Sequence, residues 1–387
     1  MNILLWAPFG CGTHYWGPGR SAFNLYSTGF PNSEHKLFLA HGYPEQPEYG
    51  LFENQFLIRP LKKDYLSQVY FILSARRWLK KNHHKFDVMH ALGAYEYSLD
   101  AAYQFFKFGK PSFVKITGEY GGLFRNSLLS RGYQFFSNRK KKIDGISGLI
   151  AISEKIYMDL INAGFIESNI FQIPNGVNTN QFIPANHEEK KLLRRKYRIS
   201  EDSFIILFLG GISERKRTFD TVIAVNNLLD KKLNDVKFLI LGPDRSLSDM
   251  KNKIENYIKE KDISEYIKLV GHIEQPIDFL RLSDVFILAT KTEGMSNALL
   301  EALACGLGAV VSPASGNTDL VKDNFNGFYT NEAIESISNG IMIYYNDRDL
   351  INVHGKRSRE LIANAFSSNY VLKSHLKLFD SYVNKQH

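Results

Sequence analysis

Short apolar runs alternate with longer amphipathic ones along most of the chain. In the first half Ile3–Ala7, Asp87–His90, Ser112–Ile116 and Gly148–Ile152 read as buried strands. In the second, Phe204–Leu209, Lys237–Leu241, Ile267–Leu269, Val285–Ala289 and Gly308–Ser312 read the same way. Helical periodicity fills most of the gaps, as in Thr218–Leu229 and Asn297–Ala304. Strands alternating with helices predict an α/β fold whose parallel sheets are covered on both faces.

The two halves open alike. Ile3–Ala7 runs into a loop holding Gly10, Gly12, Gly17 and Gly19, then a helix from about Ser21; Phe204–Leu209 runs into Gly210-Gly211, then a helix from about Thr218. A first turn of this kind brings backbone N–H groups close to a phosphate. Two Rossmann-like domains facing a central cleft are therefore expected. The turn residues of Ile173-Pro174-Asn175-Gly176-Val177 place the boundary. The expected domains cover 1–175 and 176–366, with a terminal helix in 367–387 packing back on the first domain.

Composition narrows the classes. With 387 residues, 44% hydrophobic and 23% charged, the chain can fill two cores and is not a disordered one. Cys11 and Cys305 give no disulfide framework, so a cytoplasmic location is expected. The apolar start reaches Pro8 without a preceding basic region, unlike a signal peptide, and no stretch approaches the roughly 20 apolar residues of a spanning helix. A net charge of +8 favours an anionic partner. Basic and aromatic residues gather at Arg76-Arg77-Trp78-Leu79-Lys80-Lys81, and at Tyr133–Phe136 followed by Arg139–Lys142. Both fit a solvated face or peripheral contact with anionic headgroups at the inner face of a membrane. No nucleic-acid motif accompanies the charge. Neither glycine loop has the Gly-x-Gly-x-x-Gly and following acid of a dinucleotide oxidoreductase.

The candidate chemistry lies in Ser283–Ala302. A strand ends near Thr290, a loop carries Glu293-Gly294-Met295, and Ser296 or Asn297 is positioned to cap the next helix. That helix end carries about half a positive charge, where a phosphate fits. Glu293 stands before it, and Glu301, about a turn inside, points back toward it. Spacing alone equally admits a cap and a solvated helix residue.

Glu293-x7-Glu301 with Gly294 and Leu300-Glu301-Ala302-Leu303-Ala304-Cys305-Gly306 resembles the donor-site motif of the retaining family-four glycosyltransferases. Further matches are Ile173–Asn178 with Phe182 and Pro184, Phe208-Leu209-Gly210, Ser283-Asp284-Val285 and Asn326-Gly327-Phe328. The resemblance is dense from about Gly148 onward and implies the B-type glycosyltransferase fold. It implies that Glu293 contacts the donor sugar and Glu301 the ribose. Gly294, Met295, Ser296 and Asn297 would face sugar and phosphate, the base would lie near His272 and Ile273, and Gly17 and Gly19 would approach the donor from the first domain. Lys216 matches the diphosphate lysine. Gly211 stands where the family has an arginine, so Arg215 or Arg217 is expected to replace its charge. Thr117 stands where the family often has a histidine facing the sugar, and His90 is a substitute.

The implied activity is transfer of a hexosyl or N-acetylhexosaminyl group, with retention, from a nucleotide-diphosphate sugar (UDP by family frequency). The acceptor would be a glycan or lipid-linked molecule of surface-polysaccharide synthesis, bound through about 118–138. An epimerase or phosphorylase on the same fold, or a non-catalytic binder of nucleotide sugar or membrane, is the alternative. No cofactor or metal is implied: Asp347-Arg348-Asp349 reads as a helix cap, and His83-His84 lacks ligand spacing.

Overall fold

The structure is a computed structural model and describes residues 1–13, 17–30, 33–62, 64–118 and 139–386. The chain forms two compact units, Met1–Asn178 with Ser368–His387, and Thr179–Ser367.

The first unit runs β1 (Asn2–Trp6), α1 (Pro18–Gly29), β2 (Lys36–His41), β3 (Asn54–Leu57), α2 (Tyr65–Asn82) and β4 (Val88–Leu92). It continues with α3 (Glu96–Lys107), β5 (Ser112–Ile116), α4 (Arg139–Asp144), β6 (Gly148–Ala151), α5 (Glu154–Asn162) and β7 (Ile170–Gln172). Its strands are all parallel, in the order β3-β2-β1-β4-β5-β6-β7. The order reverses direction between β1 and β4. In such sheets the loops on either side of that point part and leave a crevice at the carboxyl ends of the strands.

The second unit has α6 (His187–Lys196), β8 (Phe204–Leu209), α7 (Thr218–Leu229), β9 (Val236–Leu241), α8 (Met250–Glu260) and β10 (Ile267–Gly271). Then come α9 (Ile277–Leu282), β11 (Val285–Leu288), α10 (Asn297–Ala304), β12 (Gly308–Val311) and α11 (Ser315–Leu320). β13 (Phe328–Tyr329), α12 (Ile334–Asn346) and α13 (Asp349–Ala365) complete it. The sheet is again parallel, ordered β10-β9-β8-β11-β12-β13, and turns at β8 and β11. Every residue of β8 and β11 is buried, as a strand covered on both faces requires.

α14 (Ser368–Val383) belongs to the first unit. Its Val371, Leu372, Leu378 and Phe379 join Leu25, Tyr26, Phe113 and Ile150 in one core cluster. Gly176 permits this return, because a Cβ there would stand 2.9 Å from the Ser368 Cα.

Four strands escape the hydrophobic pattern. β3 is a half-exposed edge and β13 has two residues, so neither makes a full apolar run. β2 and β7 are broken by polar residues at their ends. α1 begins at Pro18 rather than Ser21, since proline's fixed φ suits a first helical turn. The expected cap around Asp347 is corrected: Asp347 ends α12, and Arg348 holds the N-cap position of α13 with no side-chain bond.

His90 is buried in this first core and presents no surface, which corrects its reading as a sugar-facing group. Its Nδ1 lies 2.8 Å from the Tyr26 hydroxyl, and its ring is 5.1 Å from that of His375. The His375 Nδ1–H donates to the Val371 carbonyl at 2.9 Å. Burial pushes both histidines down first; the neighbouring His375 and then the Lys115 ammonium add to it at His90, and Lys115 adds to it at His375, which falls to about 3. Burial also lowers Lys115, to about 8, so it is cationic whenever the histidines titrate. Both folded pKa values lie below the unfolded value near 6.5. As pH falls through 6.5 the unfolded chain therefore takes up protons that the folded chain refuses, and stability is lost downward from there. Melting curves from pH 7 to pH 5 should show a loss of about 1.4 kcal/mol per pH unit for each histidine below its unfolded pKa. His375→Leu should reduce that slope.

Candidate functional site

Loops at the carboxyl ends of β8 and β11 carry the groups that sequence singled out. β8 and β11 are neighbours, with Val285 opposite Ile206 and Phe286 opposite Leu207. The Gly210–Arg217 loop leaves one strand and the Thr290–Ser296 loop leaves the other. They are stitched together where the Lys291 N–H donates to the Arg215 carbonyl at 2.8 Å and Thr290 Oγ1 donates to the same oxygen at 3.2 Å.

This brings Glu293 between two cations. Its Oε2 lies 3.1 Å from Lys216 Nζ and 3.3 Å from Arg215 Nη1. Arg215 also donates to the Thr292 carbonyl. Burial alone would raise the Glu293 carboxyl, but the charges of Lys216 and Arg215 outweigh it and hold the group below the usual carboxylate range. Glu293 is thus an ionised acceptor at neutral pH. Lys216 is nearly buried, and its Nζ lies over Gly210, 3.3 Å from where a Cβ would be.

The structure separates the two arginines offered as replacements for the one missing at Gly211. Arg217 is spent internally, on Asp220 at 2.7 Å and on the Asn331 and Glu332 carbonyls at 3.2 and 2.7 Å. Arg215 faces Glu293. A third arginine, Arg245, was not anticipated. Its Cγ lies 2.7 Å from the position a Cβ on Gly211 would take, so its stem fills the space of a side chain at 211. The Ile212–Asp244 bridge and the Arg245 N–H bond to the Ile212 carbonyl, 2.9 Å, hold the two loops together. The signal in sequence was the glycine itself.

Ser296 is the N-cap of α10, its Oγ accepting from the Leu299 N–H at 3.3 Å. Gly294, Met295 and Asn297 thus surround the positive end of this helix. Glu301 is buried one turn further on. α11 braces the loop from behind: the Gly316 N–H donates to the Gly294 carbonyl at 3.0 Å, and a Cβ on Gly316 would fall 2.2 Å from that oxygen. His272 and Ile273 follow β10 at the same end of this sheet, on its outer edge.

In the first unit Gly17 holds the N-cap position of α1 at φ 66°, where L-residues are strained. Gly19 lets the helix approach the Gly10 carbonyl, which a Cβ would meet at 2.4 Å. Thr117 is half-buried just past the carboxyl end of β5. The expected acceptor segment lies outside the described residues from 119 to 138, as do Tyr133–Phe136. An aromatic pair missed in sequence rims the point where the sheet order reverses. Phe9, after β1, and Tyr95, after β4, are 41% and 46% exposed, with ring centroids 5.8 Å apart and Tyr97 beneath both.

The family model "Glycosyl transferases group 1" matches residues 189–366, and "Glycosyltransferase Family 4" matches 29–181. An Escherichia coli UDP-Gal:alpha-D-GlcNAc-diphosphoundecaprenol alpha-1,3-galactosyltransferase is 31% identical over 216 residues, 54% of this chain and 53% of its own length. The Staphylococcus aureus capsular polysaccharide biosynthesis glycosyltransferase CapM is 25% identical over 61% of this chain and 62% of its own. The chain thus spans just over half to three-fifths of the length of these relatives. Anabaena HepE, solved in complex with UDP, shares the fold with a TM-score of 0.77 at 16% identity, over 98% of this chain and 100% of that one.

Gly316→Ala should displace the Gly294 loop and cost about 1–3 kcal/mol of stability by overpacking. Gly50→Ala, with nothing within 4 Å of the added Cβ, should leave the melting temperature unchanged.

Proposed function

This chain belongs to the two-domain glycosyltransferases of the group 1 and family 4 type, and on that basis we propose that it transfers a sugar with retention from UDP-sugar to a glycan or lipid-linked acceptor. The observation that carries the reading is the Glu293 carboxylate, held ionised by Lys216 and Arg215 in front of the α10 N-terminus. An anionic acceptor of hydrogen bonds beside a cationic end suits a ligand with sugar hydroxyls next to a diphosphate. UDP is favoured because HepE was solved with it and the E. coli relative is named for UDP-Gal. The lipid-linked acceptor follows the same relative's name, which also makes an anionic membrane surface a proposed partner.

In this reading Glu293 accepts from a donor-sugar hydroxyl and Glu301 from the ribose. Lys216 and Arg215 turn toward the diphosphate, and Arg245 adds the charge that Gly211 lacks. The bond from the anomeric carbon to the diphosphate oxygen breaks as the acceptor oxygen bonds to that carbon on the same face. The acceptor's proton passes to the departing diphosphate. The protein stabilises the charge growing on that leaving group, so the cationic side chains do the work a metal does elsewhere, and chelator should leave turnover unchanged. The exposed Phe9 and Tyr95 offer flat apolar faces on which the acceptor's sugar ring stacks, leaving its hydroxyls at the rim.

A thermal-shift panel of nucleotide sugars should single out one UDP-sugar, since a ligand of the folded state raises its melting temperature. Lys216→Ala and Glu293→Ala should each lower kcat about a hundred- to a thousandfold, the usual cost of one transition-state partner. Normal turnover in both would refute the assignment. Arg245→Ala should weaken UDP binding by roughly tenfold to a hundredfold, as loss of a charged hydrogen bond does, while Arg217→Ala should act mainly on stability. Tyr95→Ala should raise the acceptor KM and spare the donor KM.

A further inference from the structure

α2 buries Phe71, Ala75 and Leu79 against the first unit, and Trp78 packs on Trp6, Phe56 and Phe86. Its opposite face is unusual for one turned to water. Leu66, Tyr70 and Leu73, at helical spacing, are 64%, 51% and 41% exposed, and Tyr65 is 67% exposed. The same stripe continues in Arg77, Lys80 and Lys81, all exposed. Beside the start of α2 lies an open groove of about 620 Å³ lined by Leu57, Arg59, Pro60, Lys62, Leu66 and Tyr70 among others. Arg59 lies over the Tyr70 ring at 5.0 Å. Asp64 is the single acid in the sequence from Leu57 to Asn82, and its Oδ1 is engaged in capping α2 through the Ser67 N–H at 2.8 Å.

Isolated surface apolar residues are ordinary, whereas a contiguous apolar stripe bordered by positive charge marks a contact surface. In the basic cluster at the start of α4 two of the four cations are engaged, Arg139 donating to the Ala94 carbonyl and Lys142 pairing with Glu96 and Asp100, while Lys140 and Lys141 are exposed. On α2, Arg76 is likewise paired with Asp100, but Arg77, Lys80 and Lys81 point outward.

We propose that the outer face of α2, with the Leu57–Lys62 groove, docks on an anionic phospholipid surface. Leu66, Tyr70 and Leu73 enter the boundary between headgroups and acyl chains. Arg59 and Lys62 take a headgroup phosphate in the groove, and Arg77, Lys80 and Lys81 lie along the surface. Charge complementarity selects this occupant over a second copy of the chain, since two copies of the stripe would set like charges against each other. The surface rests on the lipid-linked acceptor reading for its purpose alone; its chemistry follows from α2.

Vesicle flotation tests this without donor or acceptor, so its outcome is independent of transferase activity. The full chain should float with phosphatidylglycerol-rich vesicles and not with phosphatidylcholine vesicles, and high salt should release it. Lys80→Glu/Lys81→Glu should lose at least tenfold in partition, since each basic residue near such a surface is worth about fivefold. Leu66→Ser/Tyr70→Ser/Leu73→Ser should lose a similar factor, with melting temperatures and UDP thermal shifts kept in both. Lys259→Glu/Lys268→Glu, on the second unit, should float as the parent does. Three outcomes would overturn the proposal: no flotation of the parent, equal flotation of the α2 variants, or a concentration-dependent dimer of the parent that the apolar variant abolishes.

Discussion

The site in the second unit depends on one pairing, β8 against β11. Nothing in chain order brings Lys216 near Glu293; the adjacency of the two strands does. That pairing is anchored at its base by Asp284, which is nearly buried just before β11. Its Oδ2 accepts from the Ile205 N–H at 2.7 Å, and the carboxylate accepts from Arg194 Nη2 at 2.8 and 3.0 Å and from Lys190 at 2.6 Å. A carboxylate this far from water needs such company, and losing Arg194 would leave it with Lys190 as its one cationic partner among those named. The same knot therefore fixes β8, β11 and α6, and the register it sets carries to the far end of the strands. There the two loops meet with a carboxylate between two cations.

The constraint shows in the small residues as well. Gly211, Gly242 and Gly316 each stand where a side chain would strike a neighbouring loop or side chain, and a Cβ on Gly210 would press on the Lys216 side chain at 3.3 Å. The loops at the carboxyl edge are packed against one another as closely as a core. Gly242 and Gly316 let backbone approach backbone, at the Gly210 and Gly294 carbonyls, while Gly210 and Gly211 make room for the side chains of Lys216 and Arg245. Gly211 and Arg245 illustrate the trade: the side chain missing from one loop is replaced in space by the stem of one from the next.

Much of this was legible beforehand, for identifiable reasons. Fully buried strands such as Phe204–Leu209 announce themselves as apolar runs, and the Ser296 cap and Glu293 loop follow from local spacing. Edge strand β3 was not legible, because half its positions face water. His90 misled because a histidine at a strand end looks the same whether it meets a ligand or another helix. The helix it meets, α14, lies far along the chain, and only tertiary structure places His375 beside it. The Phe9–Tyr95 pair was invisible for a like reason, and Gly211 signalled a missing side chain without saying that Arg245 fills its place, since each acquires its partner across strands distant in sequence.

The return of α14 to the first unit has a consequence for synthesis. A ribosome delivers residues in order, and a domain made first ordinarily closes first. Here the sheet of the first unit is complete by Gln172, yet Val371, Leu372 and Phe379 of its core come nearly two hundred residues later. Until they emerge, Tyr26, His90 and Phe113 have no cover on that side. The second unit, contiguous from Thr179 to Ser367, is whole before then. The nascent chain therefore carries an open apolar face while the later unit folds, and the unit begun first is finished last.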